Sequence, residues 1–149
     1  ELLDSKAYHD EVAQFANDLV KGGRSVFVHA PHRLAFSQSI FERIPGAVLV
    51  NGSTPRLERR EIYDAMRKKE LLALVSDVGG TGLDIPSLDS LILAGDLKDI
   101  RQLKGRVERA HPGKTNGLLI DLNTDTQFLS KHADIRRYQY KADGNLILG

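Results

Sequence analysis

The sequence predicts an α/β fold, with a mainly parallel sheet and helices on both of its faces. Two observations carry this. Short apolar runs of four to six residues recur along the chain, and each ends in a polar turn. Between them lie stretches whose apolar residues repeat at helical spacing, joined by short loops. Such alternation builds crossover units, and crossover units make parallel sheets covered on both faces.

Residues 5–20 read as a helix. Ser5 suits the N-cap, Val12, Phe15, Ala16, Leu19 and Val20 form the apolar stripe, and Lys21, Gly22 and Gly23 supply a C-terminal stop. Residues 25–30 are a continuous apolar run typical of a strand buried on both faces, and Pro31 ends it. A second helix follows over 32–44 and a second strand over 47–50. The turn Asn51, Gly52, Ser53, Thr54 then leads into a helix over 55–70. There Thr54 reads as the N-cap, with Glu58 completing a looser cap. Leu57, Ile62, Tyr63 and Met66 are expected on its buried side, with Arg56, Arg59, Arg60, Arg67, Lys68 and Lys69 elsewhere. Further strands are expected at 72–75, 90–94 and 117–122, and a short helix over 99–110. Beyond these, 124–132 reads as a short helix. Residues 135–140 and 145–148 read as a terminal β-hairpin turning on Asp143 and Gly144.

At 149 residues the chain predicts one domain, with its core over about 5–122 and an extension over 123–149. Neither disulfides nor thiolate metal sites are available, because cysteine is absent. No apolar run approaches the roughly 18–20 residues that span a bilayer. Residues 1–4 lack the basic and apolar regions of a signal peptide. The first residue is Glu1, so the chain is expected to be a piece of a longer polypeptide, acting in the cytoplasm or on the nucleoid and not in a membrane. With 21 basic and 20 acidic residues, a basic surface can arise only from local clustering.

Ligands of parallel sheets bind beyond the carboxyl ends of the strands. Three polar turns belong there: residues 29–32, 51–54 and 76–84. Glycines 52, 79, 80 and 82 would let backbone N–H groups approach a phosphate, with service in tight turns alone as the plain alternative; Ser53, Thr54, Ser76 and Thr81 add hydroxyls. Arg106 and Arg109 share one helical face, with Gln102 on nearly the same stripe, and guanidinium groups make forked bonds to phosphate. A solvated basic face is the plain alternative, although it leaves Gly105 in mid-helix unexplained. Gly113, Lys114 and Thr115 imitate the end of a triphosphate loop. The full pattern needs a glycine where Glu108 stands, so they read as a turn. Of the histidines, His9 and His132 are expected at the surface, while His29 and His32 sit near a strand end close to the cleft.

Together these residues resemble the second RecA-like domain of superfamily 2 helicases. The likeness covers roughly residues 12–122. Residues 25–30 resemble motif IV, and Asn51, Gly52, Ser53, Glu58 and Arg59 resemble the segment before motif V. Ser76, Asp77, Val78, Gly82, Leu83, Asp84, Ile85 and Pro86 resemble motif V, and Gln102, Gly105, Arg106 and Arg109 resemble motif VI.

The resemblance implies a three-layer RecA-like fold that works with an N-terminal RecA-like domain of the same parent protein. That partner would hold ATP and its Mg2+. Arg109 would be the arginine finger and Arg106 a second phosphate contact. Gly82 and Asp84 would approach the nucleotide, and Gln102 would couple its state to domain closure. Gly52, Ser53, Thr54 and Ser76 would touch the backbone of a bound strand. Alone, the domain is not expected to hydrolyse ATP. Thr81 in place of an arginine, and a motif VI that opens on Gln102, lean away from DEAD-box RNA helicases. They lean towards translocases of duplex or branched DNA, so DNA is the expected nucleic acid. The rival reading is a docking module for nucleic acid or protein without an ATP cycle. A dehydrogenase half fits poorly, since residues 29–34 hold no glycine.

Overall fold

The structure, a computed structural model, describes residues 5–30, 34–77, 88–94 and 118–121. Within them the chain runs α1 (Lys6–Lys21), β1 (Val26–His29), α2 (Leu34–Glu42), β2 (Val48–Val50), α3 (Arg56–Arg67), β3 (Ala73–Ser76), β4 (Ser90–Leu93) and β5 (Leu118–Asp121). The strands form one sheet in the order β2-β3-β1-β4-β5, and every pairing is parallel. The expected tail helix and hairpin, and the helix expected over 99–110, lie outside the described residues.

Strand periodicity sorts the core into two layers. Val26, Val28, Ala30, Ala73, Val75, Ile92 and Ala94 pack with α1 and α2. Phe27, Leu74, Leu91, Leu93 and Val50 pack on the other face with Met66, Ile62 and Tyr63 of α3. Because helices cover both faces, β1, β3 and β4 carry apolar residues at successive positions and show little of the usual in–out alternation.

α1 begins and ends as its sequence predicts. The Ser5 hydroxyl accepts the Tyr8 N–H at 3.3 Å. Gly23 adopts a φ of +83°, and the N–H groups of Gly23 and Arg24 return to the carbonyls of Val20 and Leu19. These crossed bonds are a Schellman cap, and its left-handed position suits glycine. α3 ends in the same way, but there the left-handed position falls to Lys69, with a φ of 59°.

Several expectations are corrected. His9 is buried, at 6% exposure, with Nδ1 2.7 Å from Ser39 Oγ and its ring tilted over Phe36. The buried line of α1 passes through Tyr8, Val12 and Ala16, with His9 and Ala13 beside it, so Phe15 falls at its border and stays 37% exposed. Leu57 is 71% exposed. It lies five residues before Ile62 and nine before Met66, spacings that turn it away from their face. Thr54 does not cap α3: Pro55 holds the N-cap position and no side chain caps the helix.

Two polar clasps hold the layers. Arg43 ties α2 to α1 through Asp10 at 2.7 Å and grips Ser39. At the amino edge of the sheet, Arg24 Nε donates to Ser90 Oγ at 2.6 Å, and buried Asp89 accepts the Ser25 N–H at 3.1 Å. The carboxyl edge opposite is left to the loops.

Candidate functional site at the carboxyl edge

Register brings the strand ends level. His29 pairs with Ser76 across β1 and β3, Val50 pairs with Ser76 across β2 and β3, and Leu93 pairs with His29 across β4 and β1. The turns after β1, β2 and β3 therefore leave from one edge, as expected. The chain steps from β3 over β1 to β4, so the segments that follow β3 and β4 start on either side of β1. A change of winding direction of this kind opens a crevice at the carboxyl edge.

The turn after β2 is the best-defined feature of that edge. The Ser53 N–H donates to Asn51 Oδ1 at 2.8 Å, and the Thr54 N–H donates to the Asn51 carbonyl at 3.1 Å. Thr54 Oγ1 accepts the Asn51 N–H at 3.0 Å, which is the task this hydroxyl performs instead of capping α3. From one turn into α3, Arg59 reaches back. Its Nη2 donates to the Asn51 carbonyl at 2.7 Å and its Nε to the Thr54 carbonyl at 3.1 Å. The turn thus satisfies its own acceptors and presents Gly52 and Ser53, both exposed, at its tip.

Gly52 differs from Gly23 and Gly46. Gly23 and Gly46 hold φ values of +83° and +81°, where a side chain is strained. Gly52 lies outside that region, and nothing lies within 4 Å of where its Cβ would stand. Among the described residues, neither conformation nor packing requires glycine at 52.

The remaining predicted strand contacts are placed differently. Thr54 is half-buried beneath the tip, and Ser76 is 1% exposed at the end of β3 beside Val50. The turn brings Gly52, Ser53 and Thr54 together, while Ser76 underlies them from the neighbouring strand. His29 is 2% exposed, with its ring against Phe27. Gly82, Asp84, Gln102, Arg106, Arg109 and His32 lie outside the described residues.

Two residues marked by the motif likeness gain a structural setting here. Arg59 belongs to the segment that resembles the one before motif V, and its partners are the Asn51 and Thr54 carbonyls. Asp77 follows Ser76, and its Oδ1 is buried with no hydrogen-bond partner among the described residues. Burial also raises the Tyr63 phenol above its ordinary value, with the nearby Arg59 guanidinium lowering it in part. Among the described residues no group of histidines and carboxylates could hold a metal ion, and no helix is long and apolar enough to cross a membrane.

Residues 11–111 match the helicase conserved C-terminal domain. The chain belongs to that family. No curated protein sequence matches it significantly. Among solved structures, this helicase domain is similar to T4 UvsW at 24% identity and a TM-score of 0.75, over 97% of this chain and 34% of that one. The helicase MrfA, bound to DNA and AMPPNP, matches at 22% identity and a TM-score of 0.66, over 85% of this chain and 20% of that one. Domain 2 of the DEAD-box helicase Mss116p, bound to an RNA duplex, matches at 17% identity and a TM-score of 0.66, over 96% of this chain and 58% of that one. At these identities the likeness establishes the fold, which is RecA-like. This helicase domain spans about a third of the T4 UvsW chain and a fifth of the MrfA chain.

Proposed function

We propose that this helicase domain is the C-terminal half of an ATP-driven nucleic-acid motor acting on DNA. It would supply an arginine finger and strand-backbone contacts to an N-terminal RecA-like domain of the same parent protein. The observation that carries this reading is Gly52. A glycine that the fold does not require, exposed at the tip of a braced turn on the carboxyl edge, lets a sugar–phosphate backbone approach the main chain of the turn closely. Ser53 and Thr54 would add hydroxyl contacts, and Ser76 would support them from β3.

The donor set suits ATP as well. The segments with Gly82 and Asp84, and with Gln102, Arg106 and Arg109, follow β3 and β4 and start from that same edge. Backbone glycine, carboxylate, amide and guanidinium groups match a ribose and a chain of phosphates. Bound between the two domains, ATP would supply the energy that drives the cycle. Arg109 would stabilise the charge that develops in phosphoryl transfer, a role worth roughly 10³–10⁵ in rate for such fingers. Arg106 would be the second phosphate contact, and Gln102 would link nucleotide state to closure of the cleft. The Mg2+ would be held by the partner domain.

The preference for DNA rests on Thr81 and on a motif VI that opens with Gln102. The test is the ATPase of the full-length parent, stimulated in turn by duplex DNA, forked DNA, single strands and RNA. Stimulation by DNA, abolished by Arg109→Ala with the fold intact, is expected. Near-normal turnover in that variant would sink the finger assignment, and stimulation by RNA alone would overturn the choice of DNA.

A further inference from the structure

α1 carries an apolar flank that its described neighbours leave open. The helix lies over β1 and β4, with α2 beside it over β2 and β3. His9, Asp10 and Asn17 turn towards α2, where they meet Ser39, the Arg43 guanidinium and the Arg43 carbonyl. Phe15 and Leu19, one turn apart, fall on the opposite flank, the one nearer β5. Leu118 and Ile120 pair with Ser90 and Ile92, so they share the sheet face that α1 covers. Phe15 is 37% exposed, and Leu19, Leu118 and Ile120 are half-buried.

Handedness limits what can cover this groove. α2 carries the chain from β1 to β2 in one direction across the sheet, and α3 carries it from β2 to β3 in the other. Right-handed crossovers then place the two helices on opposite faces, where they are found. The connections β3 to β4 and β4 to β5 run in the direction of β2 to β3, so the same rule directs them to the α3 face. Residues 1–4 span at most about 14 Å from Ser5, while Phe15 and Leu19 lie roughly 15 and 21 Å down the helix. Within this sequence the residues after β5 are left.

We propose that the chain beyond Asp121 turns back over β5 and seats Phe128 and Leu129 against Phe15, Leu19 and Ile120. The strand ends at the carboxyl edge, and the polar residues 123–127 supply a turn before that apolar pair. Glu11 and Asp18, both exposed, border the flank, while Lys6 and Lys21 lie elsewhere on α1, so Lys131 would meet an acidic rim. The extension would thereby complete the α1 layer. It would stand clear of the Gly52–Ser53 turn, which follows β2 at the other end of the sheet. This inference does not depend on the strand-contact reading.

The experiment is hydrogen exchange by mass spectrometry on the full-length parent. In Phe15→Asp, exchange across residues 123–132 should quicken roughly tenfold or more, because losing the burial of one large apolar side chain shifts a local opening by that factor. Peptides from β1 and β3 should keep their rates, since Phe15 lies at the border of the core. Should they quicken too, Phe15→Ala replaces the variant and the same outcomes apply. Phe128→Asp should quicken residues 123–132 as well, and the double variant should add nothing further, as expected of two side chains that meet. Unchanged rates over 123–132, or two effects that simply multiply, overturn the inference. If Phe15→Asp instead lowers the particle mass in light scattering, a second copy occupies the groove. If it quickens exchange only in another domain of the parent, that domain does. Either result overturns the inference as well.

Discussion

Arg59 is fastened to Asn51. Its Nη2 donates to the Asn51 carbonyl at 2.7 Å, while Nε donates to the Thr54 carbonyl, so one guanidinium from α3 locks the turn that precedes the helix. A rigid turn presents Gly52 and Ser53 in one arrangement, and a preorganised contact loses little entropy when a strand binds.

Arg59→Ala should therefore act at two levels. Hydrogen bonds to charged groups contribute about 1.5–3 kcal/mol, and partial exposure lowers the expected loss here to about 1–2 kcal/mol. Urea denaturation measures this, and anisotropy on the full-length parent should report weaker strand binding. Arg59→Lys keeps the charge but lacks the fork that reaches two carbonyls, so it should rescue little. Full rescue by lysine would show that charge, and not bracing, is what matters.

Gly52→Ala separates fold from function. With ordinary φ and open space, alanine should leave the melting temperature unchanged, or raise stability by about 0.4–1 kcal/mol through the unfolded chain. Strand binding by the parent should nevertheless weaken, since a Cβ would stand between backbone and phosphate. Unchanged affinity would return Gly52 to the role of a simple turn residue.

Lys69 holds a left-handed conformation at the end of α3, with a φ of 59°. That geometry costs a side-chain-bearing residue about 1–2 kcal/mol, while glycine adopts it freely at some entropic cost in the unfolded state. Lys69→Gly should thus stabilise the domain by roughly 0.5–1 kcal/mol. Destabilisation would mean that the lysine side chain has a partner that outweighs the strain.

Tyr63 should leave a signature at alkaline pH. Burial raises its phenol above the ordinary 10.0, and Arg59 offsets part of that rise. The folded state then keeps a proton that the unfolded chain releases. The associated stability is intact below pH about 10 and declines as pH rises through the folded pKa. Urea midpoints measured from about pH 8 to about pH 11 should fall more steeply for the native chain than for Tyr63→Phe. Parallel curves would remove Tyr63 as the source.

The sequence by itself determined the alternation of elements, the parallel sheet, the shared carboxyl edge of three turns and the glycine stop of α1. Each follows from short-range physics: apolar runs buried on two faces, helical spacing, and a backbone position that only glycine fills without strain. It also made the helicase family legible through the spacing of Gly52, Asp84, Arg106 and Arg109. The tertiary structure decided which of the marked residues face solvent and which are used up. His9 is buried because α2 brings Ser39 and Phe36 across from it. The Thr54 hydroxyl serves the turn because Asn51 folds back within reach. Arg59 leaves the ranks of surface cations because two carbonyls lie in its path, while Arg56 and Arg60 do not. These outcomes depend on what stands opposite a side chain in space, and periodicity along one element carries no record of that.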